Sequence, residues 1–132
     1  MKKILSLLFL IASLLAAGVF KPGSVYSQAE GDNILVSWET EDESAVKQFI
    51  IERASDEFGN FSEIVRITAN GSKKYNFVDR SVFKTTGSTF VYKITPVSNS
   101  GTAVEQSVMT KKVYLKVSSV KRTWGSLKAM FR

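Results

Sequence analysis

The 132-residue chain contains no cysteine, no histidine and only two prolines. Without thiols it can form no disulfide, no thiolate zinc or iron–sulfur site and no lipid attachment through cysteine. Without imidazole it lacks the commonest general base and the commonest metal ligand. A serine nucleophile would have no histidine to activate it, and nothing in the sequence marks a desolvated lysine as a substitute base. Neither catalysis nor a cofactor is expected. What is present is ordinary for one globular domain: 44% hydrophobic, 11% aromatic and 23% charged residues, with eight glycines. That balance excludes collagen-like, low-complexity and disordered chains.

The N-terminus reads as an export signal. Met1-Lys2-Lys3 precedes an apolar run from Ile4 to Phe20, broken only by Ser6, Ser13 and Gly18. A basic n-region followed by an apolar h-region is the pattern of a secretory signal peptide. Ser27 and Ala29 place small residues at the −3 and −1 positions of a cut between Ala29 and Glu30. The expected organisation is therefore a signal peptide over 1–29, a domain over 30–117 and a tail over 118–132. An uncleaved anchor is the alternative, although the 17-residue run is at the lower limit for a bilayer of about 30 Å.

Charge is unevenly distributed. Residues 30–110 hold 8 basic and 12 acidic side chains, whereas the last 22 residues hold seven basic ones and no acid. An acidic body thus carries a basic tail.

The body reads as short strands. Ile34, Val36 and Trp38 alternate with Leu35, Ser37 and Glu39, the period-2 signature of a strand with one face buried. Phe49–Arg53, Phe61–Thr68, Tyr75–Asp79 and Phe90–Thr95 continue the series, and Val104–Val117 supplies one or two more strands. Asn70-Gly71 between two of them is a tight-turn pair suited to positive φ. About seven short strands at regular spacing predict an all-β, antiparallel, immunoglobulin-like sandwich. Trp38, Phe49, Tyr75, Phe77, Phe90 and Tyr92 fall on the inward phase and are expected in the core. Phe58, Phe61 and Phe83 lie near turns.

At these residues the chain resembles the fibronectin type III family over roughly residues 30 to 115. Trp38 sits where that family keeps its core tryptophan on the second strand. Phe49-Ile50-Ile51-Glu52-Arg53-Ala54-Ser55-Asp56 resembles the third strand in a form common in secreted proteins of Bacteroidota. Phe90-Val91-Tyr92-Lys93-Ile94-Thr95-Pro96-Val97 resembles the sixth strand. One departure stands out: Phe90 occupies the place of the tyrosine-corner Tyr, so its hydroxyl bond to the backbone would be missing. The resemblance implies a non-catalytic module of a secreted bacterial protein.

The tail is the candidate binding segment. Val120, Trp124, Leu127 and Phe131 are spaced i, i+4, i+7, i+11 and would share one helix face within about 60°. Lys121, Arg122, Lys128 and Arg132 lie on the other side. Ser118 or Ser119 could cap such a helix, while Gly125 would cost it about 1 kcal/mol. A helix of this length is unstable alone and needs a surface. That surface is the chain's own sandwich, a partner protein engaged helix-in-groove, or an anionic membrane. The expected partner-binding residues are Val120, Lys121, Arg122, Trp124, Leu127, Lys128 and Phe131. The expected partner is another protein of the cell envelope, with an anionic membrane surface or a carbohydrate as alternatives and nucleic acid excluded by export.

Two further clusters read as structural. Glu39, Glu41, Asp42 and Glu43 could offer oxygens to calcium, but the spacing matches no EF-hand loop and a solvated connector is the simpler reading. Asp32 with Asp79, or Glu52 with Asp56, would need a cleft to act as a hydrolytic pair, and a sandwich of this size has little room for one.

Overall fold

The computed structural model describes residues 18–82 and 88–115, together with Leu127, Lys128 and Met130. Eight strands run in chain order: β1 Tyr26–Glu30, β2 Asn33–Glu39, β3 Gln48–Ala54, β4 Ser62–Thr68, β5 Lys74–Asp79, β6 Thr89–Val97, β7 Val108–Met109 and β8 Val113–Tyr114. They form two antiparallel sheets, one ordered β1-β2-β5 and the other β4-β3-β6-β7, with β8 pairing the start of β6. The described residues thus make the all-β, immunoglobulin-like sandwich that the strand periodicity predicts.

The alternation carries directly into the core. Ile34, Val36 and Trp38 of β2, Phe49 and Ile51 of β3, and Phe90, Tyr92 and Ile94 of β6 are buried between the sheets. Trp38, 1% exposed, stacks on Tyr75 at 5.4 Å between centroids and 10° between planes, and Phe49 tilts against both rings. Phe77, half-buried, packs on the same cluster. The Trp38 indole N–H is buried and finds no acceptor among the described residues. The Asn70-Gly71 turn joins β4 to β5 with Gly71 at φ 75°, and the Asn70 side chain accepts from the Ser72 amide at 3.0 Å. That backbone region admits glycine without the Cβ clash other residues meet.

The N-terminal boundary differs from the expectation. The expected cut between Ala29 and Glu30 falls inside β1, which pairs with β2 from Tyr26 opposite Ser37 to Glu30 opposite Asn33. Further upstream, Val19 and Phe20 are buried in the core, Phe20 bridges to Thr40, and its ring lies 6.1 Å from that of Phe49. Among the described residues, Val19, Phe20 and β1 thus pack or pair with the sandwich on the leader side of the expected cut. Val19 and Phe20 continue the apolar pattern that starts at Ile4, so hydropathy alone does not separate export from packing at these two positions.

At the other end, the expected C-terminal helix lies outside the described residues apart from Leu127, Lys128 and Met130.

Candidate functional site

Of the expected binding residues, Leu127 and Lys128 are described and both are exposed, Leu127 at 41%. Val120, Lys121, Arg122, Trp124 and Phe131 lie outside the described residues. Met130, also described, is 77% exposed. The structure therefore neither assembles nor disperses the tail face as a unit.

The densest chemistry in the body is internal. Continuing the inward phase of β3 from Phe49 and Ile51 brings Arg53 to the core side, and continuing β5 from Tyr75 and Phe77 brings Asp79 there. Tyr92 arrives from the inward phase of β6. The Asp79 carboxylate accepts from Arg53 Nη1 at 2.6 Å and from the Tyr92 hydroxyl at 2.7 Å, both on Oδ2. Its Oδ1 accepts from the Ser81 amide and hydroxyl at 3.0 and 2.8 Å. Burial pushes this carboxyl up, but hydrogen bonds from Tyr92, Arg53 and Ser81 outweigh it and hold Asp79 below the usual carboxylate range. Burial first, then the hydrogen bond to Asp79 and that group's charge, pushes the Tyr92 phenol far above its ordinary value, so it remains a donor. All four oxygen interactions are satisfied within the protein. This is a structural clasp between the two sheets, not an acid–base pair facing a substrate.

The clasp also revises the expectation at the tyrosine corner. Phe90 is buried, with the Arg53 guanidinium 6.0 Å from its ring centroid. The hydroxyl anchor is supplied two residues on by Tyr92, and it reaches the Asp79 side chain instead of the backbone. Sequence reasoning placed Tyr92 on an inward phase and Asp79 at the end of its strand without joining them, because strand phase says nothing of which residues meet across the sheets.

The acidic connector, expected to be solvated, is tied into the fold through Glu43. Glu43 accepts from the Tyr75 hydroxyl at 2.8 and 2.9 Å and from the Thr40 hydroxyl at 2.7 Å. Tyr75 oxygen in turn accepts from the Asn70 amide at 3.1 Å, tying the connector to the β4–β5 turn. Burial, with Glu43 adding to it, pushes the Tyr75 phenol up. Asp42 accepts from the Ser44 hydroxyl and amide, which hold its carboxyl below the ordinary value. Tyr75→Phe should destabilise the fold by about 1–2 kcal/mol, because Glu43 loses a half-buried donor. Chemical denaturation of the two proteins measures it, and no change would show that water replaces the phenol at no cost.

Two of the open depressions on the surface lie among the described residues. The larger, about 400 Å³, lies over the three-stranded sheet between Tyr26, Ser37, Glu39, Lys74 and Asn76. Its polar groups largely satisfy one another: Ser37 Oγ donates to Asn76 Oδ1 at 2.6 Å, and Glu39 stands 3.7 Å from both Lys21 and Lys74. The smaller, about 210 Å³, lies between Gly18, Val19, Asp42, Ala45, Val104 and Glu105. Exposed aromatic rings do occur, at Tyr26, at Phe58 (92% exposed) and at Tyr114, but on β1, the β3–β4 turn and β8 in turn. Tyr26 escaped the sequence reading because it stood within the assigned leader. Among the described residues no group of three or more acidic side chains is arranged to hold a metal ion.

No family model matches the chain, and no curated protein matches it. Among solved structures, a Fn3-like protein from Clostridium thermocellum is similar at 16% identity with a TM-score of 0.48, over 72% of this chain and 88% of that one.

Proposed function

We propose that this chain is an exported, non-catalytic binding module of the cell envelope, a sandwich that presents a basic amphipathic tail to another envelope protein. The observation that carries the reading is the exposure of Leu127 and Met130, at 41% and 77%, in a segment whose apolar spacing is that of one helix face. Large apolar side chains left at a surface beside cations are what a docking segment offers: anchors for a groove and charges to orient it. The sandwich supports this role negatively as well. Its inner polar groups are committed to the Asp79 clasp, and its depressions are open to solvent.

The seven cations without an acid in the last 22 residues favour a second reading, adsorption to an anionic membrane. Ionic strength separates the two. Adsorption to phosphatidylglycerol vesicles should weaken steeply with salt and be lost in Lys121/Arg122/Lys128→Gln. A groove-bound apolar face should instead give a discrete photo-crosslink from position 127 in the producing cell. That crosslink should survive high salt and be lost in Trp124→Ala. Salt-sensitive vesicle binding without such a crosslink would sink the docking reading.

A further inference from the structure

Val19, beside the buried Phe20, makes an unusual contact. Val19 is 5% exposed, its carbonyl accepts from the Glu41 amide at 2.7 Å, and its N–H faces the Glu105 carboxylate with both oxygens at 3.2 Å. Glu105 lies 86 positions away, on the connection between β6 and β7. A peptide N–H has one hydrogen, which two oxygens at equal and rather long distance must share. An α-ammonium at the same nitrogen has three, enough to give each oxygen its own charge-assisted bond, which is shorter and stronger. The surroundings suit a cation. The depression here presents the carboxylates of Asp42 and Glu105 and no basic side chain among its lining residues. Crowding points the same way: a Cβ added at Gly18 would stand 3.1 Å from Glu105 Oε2, so this carboxylate closes tightly on the chain at residue 18.

The sequence immediately before Val19 supplies the means of making that amine. Ala16-Ala17-Gly18 puts small residues at the −3 and −1 positions of a Gly18–Val19 cut, directly after the apolar run Ile4–Leu15. A cut here leaves β1, Val19 and Phe20 in the mature protein, whereas a cut after Ala29 removes Val19, Phe20 and all of β1 but Glu30.

We propose that a signal peptidase hydrolyses the Gly18–Val19 bond and that the new Val19 α-ammonium pairs with Glu105, locking the first residue of the mature chain onto the sandwich. Water adds its oxygen to the Gly18 carbonyl carbon, the C–N bond breaks, Gly18 leaves as a carboxylate and the Val19 nitrogen takes up the protons to become the ammonium. The cut precedes folding, while the chain is extended in transit, so the burial of Val19 afterwards is its consequence. The inference rests on the export reading.

Two measurements test it. The full chain is produced in a bacterium with a general secretory pathway, and the intact mass of the exported protein is determined. A chain starting at Val19 is expected. A start at Glu30 or any other residue, or export at full length, overturns the cut while leaving export intact. Retention of the uncut chain in the cytoplasm overturns the export reading and the cut together. In the second measurement, Glu105→Gln is made both in the chain starting at Val19 and in one retaining Ala17-Gly18 ahead of it. The substitution should lower Tm by about 4 °C or more beyond its effect in the extended chain, where only an amide is lost as partner. Equal shifts in the two chains would overturn the pairing.

Discussion

Asp79→Ala should lower the stability of the fold by about 3–5 kcal/mol, because it leaves the Arg53 guanidinium in the inter-sheet space without its partner. The Asp79 side chain is 2% exposed and that of Arg53 17%, so neither charge can turn fully to water in place. The Tyr92 hydroxyl, buried and donating to the same oxygen, is orphaned by the same substitution. Tyr92→Phe removes only that one bond to a charged acceptor and should cost less, about 1.5–3 kcal/mol. Arg53→Met in the Asp79→Ala background should recover part of the loss, since it removes the uncompensated charge. Urea unfolding of the wild type, Asp79→Ala, Tyr92→Phe, Arg53→Met and the Asp79→Ala/Arg53→Met double variant measures these effects. Additive losses from Asp79→Ala and Arg53→Met would show that the pair is not coupled.

The same clasp sets pH limits. Asp79 titrates below its unfolded value of about 3.9 in the folded chain, so its contribution is present above that pH. The contribution is lost as pH falls from there through the depressed folded value. Tyr92 titrates above its unfolded value of about 10, so its contribution is complete below that pH and fades as pH rises beyond it. Stability should therefore fall on both sides, and Tyr92→Phe should flatten the alkaline limb selectively.

Phe20→Ala should destabilise the protein by about 3–5 kcal/mol, the usual cost of emptying a buried phenylalanine site. The ring is 9% exposed and packs 6.1 Å from Phe49, which itself touches both Trp38 and Tyr75. Truncation to residues 30–132 should be worse, since it removes β1, Val19 and Phe20 together and exposes the β2 edge. Purified chains beginning at residue 18 and at residue 30, compared by thermal unfolding, check this. A residue-30 chain as stable as the longer one would show that the N-terminal segment packs without contributing.

These two results bear on how much of the fold can be read from sequence. Where one face is buried and the other wet, period-2 alternation located β2, β3, β4, β5 and β6 nearly residue by residue, and it placed Trp38, Phe49, Tyr75, Phe90 and Tyr92 correctly inside. It failed at β1 for a physical reason. Tyr26–Glu30 is short and mostly exposed, so it has no apolar phase to announce it, and it is held by ladder bonds to β2. It failed differently at Asp79: the place at the end of a strand was legible, but its partners Arg53 and Tyr92 come from the opposite sheet and are fixed only by tertiary register. For the candidate site the sequence went further than the described structure, which reaches only Leu127 and Lys128 of the seven expected residues.

The proposed function requires a tail that is presented to a partner instead of belonging to the sandwich. Backbone NMR order parameters across Ser119 to Arg132, measured on the chain from residue 18 onward without any partner, test it most directly. Values below about 0.6 in the tail beside about 0.85 in the strands are expected. A tail as rigid as β2 and β6, with contacts from Trp124 or Phe131 to the sheets, would contradict the proposed function and make the tail a ninth piece of the domain's own core.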